Sequence, residues 1–96
     1  MRIWAGVDAT TLRSLRDGTA LGGEVVAAES DDEQHELEAL EAAAEDGPVV
    51  VVAEVDEGAD VTFADVEALH VDADGSGVLA WYAPQEVDAV LAVLER

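Results

Sequence analysis

The sequence predicts a single α/β domain over residues 1–96, with one mixed sheet of four to five strands, three helices and the element order β-α-β-α-β-β-β-α. Short apolar runs alternate with segments that have helical caps and helical periodicity. The valine run Val49–Val52 is apolar on both faces and predicts the centre of a sheet. A tight turn rich in Asp and Gly near the end of the chain predicts a final hairpin. With 96 residues, the chain is long enough for one hydrophobic core.

The first predicted strand consists of the mainly apolar residues that precede Asp8. Asp8 or Thr10 is placed to cap a helix, because a short polar side chain accepts hydrogen bonds from the free amides of the first turn. Leu12 and Leu15 give this helix an apolar face, and Gly18 ends it.

A second strand and a second helix follow. Residues Glu24–Glu29 predict the strand, and Ser30 begins a capping box with Glu33. The helix continues to about Asp46 and is stopped by Gly47-Pro48. Its predicted buried face consists of Leu37, Leu40 and Ala44.

The second half of the chain predicts three strands in succession. They are Pro48–Val55, Ala68–Ala73 and Val78–Ala83, with a short helical turn at Thr62–Glu67 and a tight turn at Asp74–Gly77.

The last helix begins at Pro84, where the missing amide of proline costs nothing. Its apolar residues follow the helical period: Val87, Val90, Leu91 and Leu94. Strands that alternate with helices predict a parallel start with right-handed crossovers. The tight turn between the last two strands predicts an antiparallel finish.

Acidic residues dominate the composition. Twenty-three Asp and Glu residues face four Arg and no Lys, which gives a formal net charge of −19. The acids are spread along the whole chain, and the apolar residues are mainly Ala and Val. This composition resembles that of haloarchaeal proteins and predicts a halophilic domain, because in molar salt counter-ions screen the carboxylates. The competing interpretation is an acidic functional surface, for example a nucleic-acid mimic or a cation buffer. A nucleic-acid mimic requires acidic residues in two regular rows and not an even distribution.

Several classes of function are excluded by the composition. The absence of cysteine excludes disulfides, thiolate metal sites and cysteine nucleophiles. Four Arg on a chain of this charge exclude an electrostatic footprint for nucleic acid. The apolar runs of the chain, such as Pro48–Ala53, are too short to cross a membrane, and the N-terminus has no signal-peptide pattern. We therefore expect a soluble cytoplasmic domain without a cofactor, and neither nucleic acid nor a membrane as its partner.

Two residues of the predicted fourth strand are candidates for a binding site. His70 and Asp72 are two positions apart, and side chains at that spacing leave the same face of a strand. Such a pair serves either as a base with its orienting carboxylate or as a structural hydrogen bond.

Four more candidates, Trp81, Tyr82, Gln85 and Glu86, lie at the junction of the last strand and the last helix. The free amides of a helix N-terminus favour anionic ligands, although Glu86 is equally placed to act as an ordinary partner of that terminus. Trp81 and Tyr82 are adjacent, so their side chains leave opposite faces of the strand and one ring is expected to be exposed. An exposed Trp or Tyr is a usual anchor of a protein interface.

Residues Asp72–Leu79 match the first eight positions of a calcium loop, with oxygen ligands at positions one, three and five and glycine at six. The twelfth position, which needs a bidentate glutamate, is Ala83. We therefore expect a turn at this segment and no metal site.

Short segments in one order along most of the chain carry a resemblance to a known group of proteins. They are Met1–Trp4, Thr11–Leu12, Leu15–Arg16 with Gly18, Glu36–Glu38, Val51–Val55, Leu69–Asp72 and Trp81–Glu86. On these segments the chain resembles an uncharacterised family of short actinobacterial proteins. It differs by a shorter second helix and by Pro84 within the last segment. The resemblance supports the order of the elements and implies no particular reaction.

No catalytic constellation stands out in the sequence. We therefore expect a small interaction or regulatory domain without catalysis, whose partner is another protein or a second copy of the chain. The alternative is a small-molecule-binding domain or minor enzyme that uses His70, Asp72 and the Trp81–Glu86 junction. Convergence of His70 and Glu86 in one pocket would favour the alternative.

Overall fold

A computed structural model describes residues 1–21, 25–28, 32–56, 58–72 and 75–95 of the chain. In these ranges five strands form one sheet and three helices pack against it, in the predicted order. The strands are β1 (Arg2–Val7), β2 (Val26–Ala27), β3 (Val49–Glu54), β4 (Val66–Val71) and β5 (Ala80–Tyr82). The helices are α1 (Ala9–Arg16), α2 (Glu33–Ala44) and α3 (Val87–Leu94). Two 3-10 turns, Phe63–Asp65 and Pro84–Glu86, precede β4 and α3.

The sheet has the strand order β2-β1-β3-β4-β5, and each neighbouring pair is antiparallel. The predicted antiparallel pairing of the last two strands is confirmed, but the predicted parallel arrangement of the first strands is wrong. β2 and β3 run in the same direction, yet β1 lies between them and pairs with both. Before β2 the chain passes Leu21, which is bridged to Val61. Because β2 pairs directly with β1 and antiparallel to it, α1 is not a crossover between parallel neighbours.

Local signals place most element ends where the sequence predicts them. The Asp8 carboxylate accepts a hydrogen bond of 2.8 Å from the Thr11 amide at the start of α1. Gly18, which follows α1, has a φ of 106° that favours glycine. For α2 the cap is Asp32, whose carboxylate accepts a bond of 2.8 Å from the Gln34 amide. The predicted cap Ser30 lies outside the described residues.

The two faces of the sheet have separate cores. One face packs against α1 and α3, and β3 contributes to both faces because its valines alternate between them. On the α1 and α3 face the buried residues are Ala5, Val7, Leu12, Leu15, Val49, Val51, Val66, Leu69, Val71, Val87, Val90 and Leu91. On the α2 face they are Trp4, Ala39, Ala43, Val50, Val52 and Ala68.

The buried face of α2 differs from the predicted one. Ala39 and Ala43 are buried, whereas Leu37 is 48% exposed and Leu40 is only partly buried. The small alanines allow α2 to lie close to β1, where Gly6 has no Cβ to keep the helix away. The leucines consequently lie to the side of the helix contact, where they border the next strands.

Helix α2 covers only part of its face of the sheet. It packs mainly on β1, β2 and β3, and its two ends are fixed over β1 by an ion pair between Arg2 and Glu36 and by the contact of Ala43 with Gly6. The β4–β5 half of this face is open, and there His70 is half-buried and Trp81 is 61% exposed.

Candidate functional site

The side chains of His70 and Trp81 occupy the same face of the sheet. They are partners in the register of β4 and β5, and this face is the one that α2 covers incompletely. Tyr82 is paired with Leu69 and packs against the core of the opposite face. The prediction that the two aromatic rings leave opposite faces and that one is exposed is therefore confirmed, and the exposed ring is that of Trp81.

Asp72 serves the turn after β4. Its Oδ1 accepts a hydrogen bond from the Gly75 amide and its Oδ2 accepts one from the Gly77 amide, each 2.8 Å long. Gly75 and Gly77 have φ values of 79° and 86°, which glycine adopts without strain. These contacts support the predicted turn, of which residues 73 and 74 lie outside the described residues. The cleft that contains His70 does not include Asp72.

Glu86 caps the 3-10 turn that leads into α3. Its Oε1 accepts a hydrogen bond of 3.0 Å from the Ala83 amide. The buried side chains of α3 pack on the face opposite to His70, and neither Gln85 nor Glu86 lines the His70 cleft. The structure thus brings together only His70 and Trp81 of the six predicted site residues.

A groove between α2 and strands β4 and β5 unites two clefts on the open side. The first, of about 290 Å³, contains His70, Trp4 and Ala68, and the second, of about 440 Å³, contains Leu79 and Gly77. Both clefts share Leu37 and Leu40 of α2. Trp81 is not among the residues that line either cleft, but it is the cross-strand neighbour of His70, which lines the first. We call this feature, with Trp81 at its edge, the α2–β5 groove.

The charged residues of the groove are mainly acidic. Glu36 and Glu67 lie in the first cleft and Glu41 in the second. Of the described residues that line the two clefts, Arg2 alone is a cation, and it is 2.8 Å from Glu36 and 3.4 Å from Glu67. Glu67 first, and then Glu36, raise the pKa of the Arg2 guanidinium above its ordinary value. Arg2 is therefore charged at all physiological pH values and is already neutralised by its neighbours.

Sequence reasoning did not identify the α2 side of this groove. The helical spacing of Leu37 and Leu40 predicts that both are buried in the core, because large aliphatic residues in this pattern usually are. The sequence feature that indicates the buried face of α2 is the pair of small residues Ala39 and Ala43, of which Ala43 lies against Gly6. No local sequence pattern predicts that Glu67 borders the groove. It is the extra residue of a bulge in β4, and the bulge exists only in the pairing with β3.

Lowering the pH through the titration of His70 should destabilise the fold. Burial holds the pKa of His70 below its ordinary value of 6.5. The unfolded chain therefore takes up a proton at a higher pH than the folded chain. The free energy of unfolding falls as the pH drops below about 6.5 and levels off once the folded imidazole is also protonated.

Urea denaturation of the wild type and of His70→Gln between neutral and mildly acidic pH checks this expectation. The other titratable groups of the cleft, Glu36 and Glu67, are common to both proteins and cancel in the difference. The variant should lose the part of the pH dependence that His70 causes. If the free energy of unfolding changed equally with pH in the two proteins, the destabilisation would not come from His70.

Neither a metal centre nor a membrane span is found in the part of the chain that the structure describes. No three His, Asp or Glu side chains of these residues converge on a point where they could hold an ion. Likewise, none of the described helices combines the length and the apolar character needed to cross a bilayer.

Comparisons with protein-family models, with curated proteins and with solved structures gave no match to this chain. The resemblance to the actinobacterial family therefore stays a prediction that depends on the residues quoted for it.

Proposed function

We propose that the chain is a small protein-interaction domain that binds its partner at the α2–β5 groove. The observation that supports this proposal most directly is Trp81, which is 61% exposed on the uncovered half of the sheet. Leu37, on the neighbouring helix, is 48% exposed. These two exposed apolar side chains lie on the same side of the sheet, and contact with a partner that spans both would remove their apolar surface from water.

Trp81 has the properties of an interface anchor. Tryptophan buries a large area with few rotatable bonds, and such residues contribute most to the affinity of protein interfaces. The ring lies beside a groove that runs along α2, so a partner segment would contact the ring and the aliphatic residues of the groove together. The rest of the groove, with its carboxylates, would form the polar rim.

The alternative of a small-molecule site or minor enzyme has less support. It depended on His70 and Glu86 converging in one pocket, and the described residues place these side chains in different environments. Asp72 is bound to the amides of its own turn, and Glu86 is bound to the Ala83 amide. No specific observation favours this second function.

Replacing Trp81 with alanine should abolish association while the fold persists. The cross-strand contact with His70 is worth at most about 1 kcal/mol, so the free energy of unfolding should change by no more than this amount. Loss of an interface anchor should weaken partner binding by at least about tenfold. Val25→Ala is the matched control, because Val25 is also an exposed apolar residue but lies beside the opposite edge strand, β2.

Two measurements in molar potassium chloride check this prediction. Sedimentation velocity detects self-association, and the immobilised domain captures partners from a cell lysate. Association of the wild type and of Val25→Ala, but not of Trp81→Ala, would support the proposal. Retention of the same partner by Trp81→Ala, or a wild type that stays monomeric and captures nothing, would refute it.

A further inference from the structure

The groove has room for one helix. Neighbouring strands are about 4.8 Å apart and a helix with its side chains is about 10 Å across, so one helix covers about two strands. Among the described residues, two helices, α1 and α3, cover the opposite face of the sheet, whereas α2 alone covers this one. The open area over β4 and β5 is therefore about as wide as one helix that lies beside α2.

The apolar residues of the groove are arranged for an amphipathic helix. Leu37 and Leu40 line both clefts from α2, Leu79 lines the second cleft, and Trp81 is the cross-strand neighbour of His70 in the first. A helix with an apolar stripe would place that stripe on these residues and keep its polar face in water.

The charges of the groove define the polar flanks of this helix. Three carboxylates, those of Glu36, Glu41 and Glu67, line the groove, and Arg2 balances only part of their charge. Lys or Arg residues on both sides of an apolar stripe would complement them, whereas acidic residues would be repelled.

The described residues of a second copy do not supply such cations. The chain has no Lys, and its described arginines are Arg2, Arg13 and Arg16. Arg13 is paired with Glu95, and Arg16 is paired with Asp17 and Asp88. Since Arg2 is paired as well, the described part of a second copy would bring mainly carboxylates against the carboxylates of the groove.

We propose that the α2–β5 groove takes a cationic amphipathic helix of another protein, with the apolar stripe of that helix on Trp81 and Leu37 and its Lys or Arg residues beside Glu36, Glu41 and Glu67. The inference rests on the proposed interaction function and adds the chemical class of the partner.

Three synthetic peptides of about 18 residues, long enough to form helix in isolation, test this inference. The first has a leucine stripe and lysines elsewhere, the second has the same stripe with glutamates, and the third keeps the lysines but has alanine in place of leucine. Binding is measured by calorimetry and by tryptophan fluorescence, in the lowest potassium chloride concentration at which circular dichroism shows a folded domain. The leucine–lysine peptide should bind at least tenfold more tightly than either of the other two.

Variants of the domain separate binding in the groove from general attraction to an acidic protein. Trp81→Ala and Glu41→Gln should each weaken binding of the leucine–lysine peptide, the first by at least tenfold and the second by severalfold. Asp60→Asn removes the same charge from an exposed position outside the groove and should leave the affinity unchanged. Equal effects of Glu41→Gln and Asp60→Asn, or full binding to Trp81→Ala, would overturn the inference.

The two proposals fail in different ways. If the domain associates with a protein or with itself through Trp81 but the leucine–lysine peptide does not bind, the inference about the partner is wrong and the interaction function stands. If the peptide does not bind and no association depends on Trp81, both are wrong.

Discussion

Transfer of the domain from molar potassium chloride to dilute buffer should unfold it. At about 0.01 M salt the Debye length is about 30 Å, whereas at 1 M it is about 3 Å. The molecule measures 35 × 30 × 20 Å, so in dilute buffer nearly every charge interacts with every other. With a net charge of −19, this mutual repulsion acts on a domain that has only about 5–10 kcal/mol of stability.

The ion pairs of the described residues are too few and too exposed to offset this repulsion. Arg2, Arg13 and Arg16 form pairs whose side chains lie at the surface, and such pairs contribute about 1 kcal/mol or less each. Salt also favours the apolar core indirectly, because it strengthens the burial of small aliphatic side chains. Both effects act in the same direction, so folding should be strongly salt-dependent.

Far-ultraviolet circular dichroism and thermal melting over a series of potassium chloride concentrations check this prediction. A triple variant, Glu41→Gln, Asp56→Asn and Asp60→Asn, provides the matched comparison, since all three positions are exposed. Because it carries three fewer negative charges, the variant should fold at a lower salt concentration. A melting temperature that is the same in dilute and in molar salt would contradict adaptation to salt, and the acidic surface would then need another explanation.

The order of the elements could be predicted because each boundary carries a local signal. Asp8 caps α1 through its own carboxylate, Gly47-Pro48 ends the α2 segment, and Pro84 begins the turn before α3. The directions of the strands could not be predicted in the same way. They depend on β1 inserting between β2 and β3, which is a contact between segments distant in the chain.

The candidate site could be predicted only in part, because it also depends on contacts between segments that are distant in the chain. The alternation of side chains along a strand was enough to place Trp81 and Tyr82 on opposite faces. Which of the two rings is exposed depends on where α2 lies on the sheet. The spacing of the leucines in α2 does not predict this position. The position of α2 is set by the close contact between Ala43 and Gly6, at which even a Cβ on residue 6 would overlap the helix backbone. As a result the sequence predicts Trp81 but not the groove beside it.

Gly6→Ala should destabilise the fold strongly. A Cβ at Gly6 would overlap the carbonyl oxygen of Ala43 and lie 3.0 Å from the amide nitrogen of Gly47. Both contacts are with backbone, so no side chain can turn aside and α2 must move away from β1. Overpacking of this kind costs about 1–3 kcal/mol where side chains can adjust, and we expect about 3 kcal/mol or more here. Gly47→Ala should have a similar effect, because its Cβ would lie 2.6 Å from the Val7 nitrogen.

Urea denaturation in molar potassium chloride measures these losses, with Gly58→Ala as the control. Gly58 has a φ of 79° and no atom within 4 Å of its ideal Cβ position, so the control reports backbone strain without overlap and should cost about 1 kcal/mol. A loss at Gly6 no larger than the loss at Gly58 would mean that α2 is not held against β1 by this contact. Displacement of α2 also moves Leu37 and Leu40, so Gly6→Ala should weaken binding in the α2–β5 groove even under conditions where the variant remains folded. Gly58→Ala should leave that binding intact, because position 58 is outside both clefts of the groove.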